Sequence, residues 1–204
     1  MTTGTRAVSR RFRRIPVATA GVAAGSIPPA SLASGRGKLR LALLCAVAFL
    51  ALAAVSVVNI ALPSIRRDLP MPVQNVQWIL SGYLLTFGGF MLLGGRSADL
   101  FGRRRVLLAG TTLFAVSSFA AGLAQSSGAL IGARLAQGLG AAMMLPAALS
   151  ILTTTFDDGT DRRKALGAWG AVVGLASVGP LLGGLLVQGP GWRWVFFVFP
   201  PICV

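Results

Sequence analysis

The sequence predicts an all-α integral membrane protein with five full transmembrane helices and the start of a sixth. Three observations predict it. Hydrophobic residues make up 54% of the chain and charged residues 12%, about half the charged share usual in soluble domains. Apolar runs of roughly membrane-spanning length recur along it. Lys and Arg, which set a formal net charge of +14, collect in the short connections between these runs, as topology signals do.

Residues 1–38 are rich in Arg, Ala, Ser, Gly and Pro and poor in large apolar side chains, so they predict a disordered basic tail on the cytoplasmic side. The transmembrane bundle occupies residues 39–204. Ser9-Arg10-Arg11-Phe12 imitates a twin-arginine export signal and Ser31-Leu32-Ala33 a cleavage site. The stretch between them is weakly hydrophobic and broken by Pro16, and a full-length span follows directly, which favours the tail.

The first span is residues 41–62, with Pro63 placed to stop the helix. After a short loop carrying Arg66, Arg67 and Asp68, Trp78 opens a second span to about Leu93, its indole suited to the interface. Residues 106–124 form the third span. Gln125-Ser126-Ser127-Gly128 turns the chain into a fourth, residues 129–155, in which Pro146 predicts a kink. A second charged loop, 157–164, leads to a glycine-dense fifth span, residues 165–187. Gly189-Pro190-Gly191 turns the chain again, and Trp192-Arg193-Trp194 begins a sixth span that Val204 cuts off. By side, the tail through Arg40 and the two charged loops hold eight, four and three Lys and Arg, the opposite loops two, none and one. That asymmetry predicts a multi-pass protein of the cell membrane with a cytoplasmic N-terminus.

Composition also excludes. The basic residues are not spread over a soluble face with interleaved aromatics, so nucleic acid is not an expected partner; the lipid bilayer is. Cys45 and Cys203 lack metal-ligand or redox spacing. Histidine and glutamate are absent, which removes His-based metal sites and triads. With no recognisable set of nucleophile, base and orienting residue, neither an enzyme, a cofactor nor a metal is expected.

Residues 95–105, a charged island between two apolar runs, predict a short turn at the water interface. Gly95 and Gly102 would let the backbone turn or approach closely. Asp99 would lie just before the next helix, favoured by its dipole and by Arg103 or Arg104. A plain positive-inside loop is the bland alternative. Arg134 is the charge within a span, expensive at mid-bilayer and therefore a functional candidate, unless it snorkels to the nearer interface. Gln137 shares its helical face, with Gly138 and Gly140 beside it. In the fifth span Gly170, Gly174, Gly179, Gly183 and Gly184 clear one broad face for close helix packing, and Gly179-Pro180 adds a bend.

The order of residues carries more than their types. Gly-x-x-x-Asp-x-x-Gly-Arg-Arg-Arg from Gly95 resembles the cytoplasmic signature between the second and third helices of the major facilitator superfamily of secondary transporters. That resemblance implies a conformational gating loop built on Gly95, Asp99, Gly102, Arg103 and Arg104. The run from Leu130 to Gly140 is similar to the superfamily's fourth-helix motif, implying proton transfer or substrate contact at Arg134. Residues 168–184, ending Gly179-Pro180-x-x-Gly183-Gly184, resemble the antiporter motif of the exporter branch. Residues 57–65 and Trp192-Arg193-Trp194-Val195-Phe196-Phe197 are similar to the first-helix motif and sixth-helix start of the fourteen-helix drug/proton antiporters. The resemblance covers residues 41–200. Ala54 stands where that branch carries an aspartate and Phe199 where an asparagine is common, and no span keeps an internal carboxylate.

The fold so implied is a major-facilitator-type N-terminal helical bundle, and the chain an N-terminal fragment whose C-terminal half is missing. The function so implied is export of small hydrophobic or cationic molecules by proton antiport. Two bundles would rock around a midplane cavity lined partly by Asn59, Tyr83, Arg134 and Gln137. The alternative is a truncated, non-transporting membrane protein or assembly partner, favoured by the missing half and the absent first-helix aspartate.

Overall fold

The computed structural model describes residues 32, 34–156 and 159–203. The tail through residue 31, with its twin-arginine-like run, lies outside them, as do Asp157 and Asp158. Every regular element among the described residues is helical. Helix α1 spans Gly35–Asp68, α2 Val73–Phe101, α3 Arg103–Leu123 and α4 Ser127–Thr155; α5, Gly159–Leu175, and α6, Gly179–Gln188, are joined by a 3-10 turn at Ala176–Val178; α7, Trp194–Phe197, and α8, Phe199–Cys203, are short. The first four are long and apolar enough to cross a membrane, and α5 with α6, bent by 45°, is long and apolar enough only when the two are taken together as one broken span.

Helix ends differ from the sequence expectation in a consistent direction: the helices overrun the apolar runs. Helix α1 begins at Gly35, inside the segment read as tail, because Ser34 caps it by accepting from Gly37 N at 3.1 Å. It also passes through Pro63 to Asp68 instead of stopping there. At 1.5 Å per residue its 34 residues reach about 50 Å, well beyond a hydrocarbon core of about 30 Å. The basic residues at both ends thus stand on helix that protrudes into water. Likewise α2 starts at Val73, not Trp78, and continues to Phe101.

Helix α4 forms the centre, packed along α2 and α3, while α1 lies against α5 and α6. The contacts are made close by small residues. A Cβ on Gly94 would meet the Ala142 carbonyl oxygen, and one on Gly140 would sit 2.7 Å from Phe114 N. The buried core continues from Val57, Val58 and Ile65 of α1 to Val195 and Phe196 of α7. Of the four long helices α2 is the least covered: it buries Ile79, Gly82, Tyr83, Gly94 and Ala98, while Leu85, Phe90, Leu92 and Leu93 are exposed. An apolar surface of that kind needs lipid or further protein against it.

The end of the bundle opposite the charged turn is tied together by the start of the sixth span. Trp192 is buried, and its indole N–H donates to Asp68 Oδ2 at 2.7 Å. Arg193 lies 4.6 Å from the centre of the Trp192 ring and donates to the Gly122 and Ala124 carbonyls at 3.4 and 3.3 Å. One cluster therefore joins the ends of α1 and α3 to α7. Asp68→Ala is expected to lower stability by about 1 kcal/mol, the usual net worth of one hydrogen bond. Asp68→Asn, which keeps an acceptor, should recover most of it. Thermal unfolding in detergent checks both, and equal midpoints for wild type and Asp68→Ala would show that this bond contributes nothing.

Candidate functional site

Arg134 lies seven residues into α4, about 10 Å from its start, and is completely buried rather than snorkelled toward an interface. Burial of a guanidinium is tolerated only where its donors find acceptors. Its Nε donates to the Ile79 carbonyl of α2 at 3.1 Å, and its Nη1 to Gln137 Oε1 at 2.6 Å. Its Cζ stands 4.3 Å from the centre of the Tyr83 ring, a cation–π contact. Nη2 has no hydrogen-bond partner among the described residues. The neighbours are held in turn. Gln137 Nε2 donates to Ser118 Oγ of α3 at 2.6 Å, Ser118 donates to the Phe114 carbonyl at 2.7 Å, and Tyr83 OH donates to the Ala51 carbonyl of α1 at 2.6 Å. Four helices thus converge on one cation.

Glycine makes this convergence possible. A Cβ on Gly138 would collide with Thr86 Oγ1 and the Tyr83 carbonyl of α2, so only a glycine there lets the guanidinium reach Ile79. Thr86 closes the same seam by donating to the Leu135 carbonyl at 2.9 Å. The cluster contains no carboxylate. The described aspartates stand at helix ends: Asp68 ends α1, Asp99 is in the last turn of α2, and Asp161 is in the first turn of α5. Asp161 Oδ2 there accepts from Leu32 N at 2.8 Å.

The structure brings Arg134 and Gln137 together on one face of α4, as their spacing suggested, and sets Tyr83 of α2 against them, but not Asn59. That residue lies on an exposed face of α1, whose buried face is formed by Val57, Val58 and Ala61. Nor do these residues line an open cavity. A cleft of about 520 Å³ elsewhere in the bundle is mostly apolar and bordered by Met91, Leu145, Pro146, Leu149 and Trp169. Ser118 and Thr86 are the polar members of the cluster that sequence reasoning missed; the adjacent hydroxyls of Ser117 and Ser118 within the third span were the available signal.

The charged island is not a turn of eleven residues. Gly95 through Phe101 continue helix α2, and the direction changes at Gly102 alone, whose φ of 95° is open to glycine and strained for other residues. Gly95 faces α4, where a Cβ would be 3.7 Å from Pro146 Cβ. Asp99 therefore sits in the last turn of α2, not ahead of α3. It reaches Arg103 Nη2 across Gly102 at 3.9 Å, both side chains substantially exposed, so the pair contributes little in water. Arg104 is exposed.

The glycines of the broken fifth span divide into two sets. Gly179 and Gly183 press on α1, where added Cβ atoms would meet Ser56 and Val57, and Ser56 donates to the Ala176 carbonyl at the break at 3.0 Å. Pro180 starts α6 at a position where its missing N–H costs nothing. Gly170, Gly174 and Gly184 have nothing within 4 Å of a would-be Cβ. The bend expected at Gly179-Pro180 falls just before it, at Ala176–Val178.

Residues 44–204 match the family model described as Major Facilitator Superfamily. The puromycin resistance protein pur8 of Streptomyces alboniger is 47% identical over 150 residues, covering 73% of this chain and 30% of that protein. The cephamycin export protein CmcT of Amycolatopsis lactamdurans is 45% identical over 164 residues, covering 79% of this chain and 34% of that protein. The chain spans about a third of the length of these relatives. Among solved structures, the peptide transporter POT in complex with sulfate superimposes with a TM-score of 0.72 at 19% identity, over 87% of this chain and 38% of that one. That likeness shows the fold.

Proposed function

Because this chain belongs to the Major Facilitator Superfamily, we propose that it supplies the N-terminal bundle of a secondary active exporter of small molecules. Transport, not enzymatic catalysis, is the work of that family. The observation that carries the reading is the buried Arg134, held by Ile79, Gln137 and Tyr83 with one nitrogen unengaged. An unpaired cation at this depth is expensive to keep unless it acts. Similarity to a puromycin resistance protein and a cephamycin export protein supports export as the direction and antibiotics among the substrates. The broken fifth span, glycine-packed on α1, fits a helix that must flex while two bundles alternate around a midplane site. In this reading Gly95, Asp99, Gly102, Arg103 and Arg104 form the gating connection on the cytoplasmic side, and Arg134 and Gln137 with Tyr83 form the substrate or proton pathway. Gly170, Gly174 and Gly184 face the remaining half, and Asn59 contributes from α1 when the bundle opens.

Proton antiport would need a carrier that the described spans do not contain as a carboxylate. The coupling acid is then supplied by the rest of the protein. The same absence favours a second reading, a membrane partner with no transport of its own. Accumulation assays separate the two. Cells expressing the chain together with its continuation, compared with cells lacking both, are expected to hold several-fold less of at least one labelled antibiotic, and to lose the difference when a protonophore collapses the gradient. Equal accumulation across a chemically broad panel would favour the partner reading.

A further inference from the structure

We propose that Ser118 is the positioning residue of the Arg134 site, setting which way the Gln137 amide faces and so where the guanidinium is held. The proposal rests on the reading of Arg134 as the pathway residue. A serine hydroxyl has one proton. Ser118 gives that proton to the Phe114 carbonyl of its own helix at 2.7 Å, so toward Gln137 Nε2, 2.6 Å away, it can only accept. The amide nitrogen is thereby drawn to α3, and Oε1 is left facing Arg134 Nη1 at 2.6 Å. The bonds run one way, from guanidinium to amide to hydroxyl to helix carbonyl, and each member is buried.

Without the hydroxyl, Gln137 has no acceptor on α3, and its amide is free to rotate. Rotation would set an NH2 group against a guanidinium N–H, donor against donor, and push Arg134 off the Tyr83 ring and the Ile79 carbonyl. Ser118 bonds the Phe114 carbonyl and Gln137, not the cation. It acts through Gln137.

Peptide-resolved modification by phenylglyoxal, a small reagent selective for guanidinium groups, tests this on the chain itself in membranes. Ser118→Ala is expected to raise the modification rate of Arg134 roughly fivefold to tenfold, the factor that loss of one buried hydrogen bond implies. Ser118→Thr, which keeps the hydroxyl, should stay within about twofold of wild type. Arg193, which is held by other partners at the end of the bundle, should not change. An unchanged Arg134 rate in Ser118→Ala overturns the proposal, as does a parallel rise at Arg193, which would signal general loosening, or a Ser118→Thr rate as high as that of Ser118→Ala. If Ser118→Ala fails to accumulate, Ser118→Cys, of similar size but with a weak sulfur acceptor, carries the same comparison. Loss of the exporter reading would appear separately as absent efflux with the modification ratio intact.

Discussion

Replacing Arg134 by alanine is expected to bring efflux by the full-length protein down to the level of cells that lack it, with membrane insertion undiminished. The two halves of that expectation have opposite physical origins. On insertion scales an arginine at the centre of a span costs about 2.5–3.5 kcal/mol, so its removal eases entry of α4 into the bilayer. A cavity is left where the side chain was, but the neighbours keep their anchors, since Gln137 keeps Ser118 and Tyr83 keeps the Ala51 carbonyl. What disappears is the charge with its bonds to Ile79 and Gln137, its contact with the Tyr83 ring, and its unengaged Nη2. Arg134→Lys is the sharper variant. An ammonium keeps the charge but cannot bond Ile79 and Gln137 in a fixed fork while lying flat on Tyr83, so efflux at least about tenfold below wild type is expected, in proportion to two lost charge-assisted hydrogen bonds. Transport rates are to be compared at equal abundance in the membrane fraction. Wild-type efflux by Arg134→Ala would remove Arg134 from the pathway.

Much of this arrangement was legible in the residues. Run lengths revealed the spans, and the Arg134–Gln137 spacing revealed a shared helical face. Helix ends were less legible, because hydropathy reports where lipid stops and not where a helix stops; α2 runs on through Gly95, Arg96 and Asp99 as protruding helix. Pro63 misled for a related reason. Proline removes one hydrogen bond, a loss that a helix of 34 residues absorbs. Asn59 and Ser118 mark the deeper limit. In a helix apolar on every side, nothing in the pattern says which face meets protein, so Asn59 could not be told from an inward residue. A serine in a span can satisfy itself on the carbonyl four residues back, as both Ser117 and Ser118 do, so its presence alone did not announce a partner on α4.

The second large effect is expected at Gly140. A Cβ there would lie 2.7 Å from Phe114 N and 2.9 Å from the Gly110 carbonyl oxygen, and one on Gly110 would lie 2.9 Å from the Gly140 carbonyl oxygen. The contacts are reciprocal and made by backbone, so no rotamer change can relieve them; α3 and α4 would have to separate. Gly140→Ala is expected to cost about 1–3 kcal/mol, the usual range for overpacking, and Gly140→Val more. Gly132→Ala on the same helix is the control: a Cβ there meets nothing within 4 Å, and the change should be neutral or slightly stabilising through helix propensity. Unfolding midpoints in detergent decide it, and a Gly140→Val protein that melts with wild type would show that α3 and α4 do not meet backbone to backbone. The helix crossing also sets the polar cluster, because the 2.6 Å bond from Gln137 to Ser118 spans the same interface. Gly140→Val is therefore expected to expose Arg134 to phenylglyoxal as well, coupling the packing of two glycines to the position of a charge six residues away along α4.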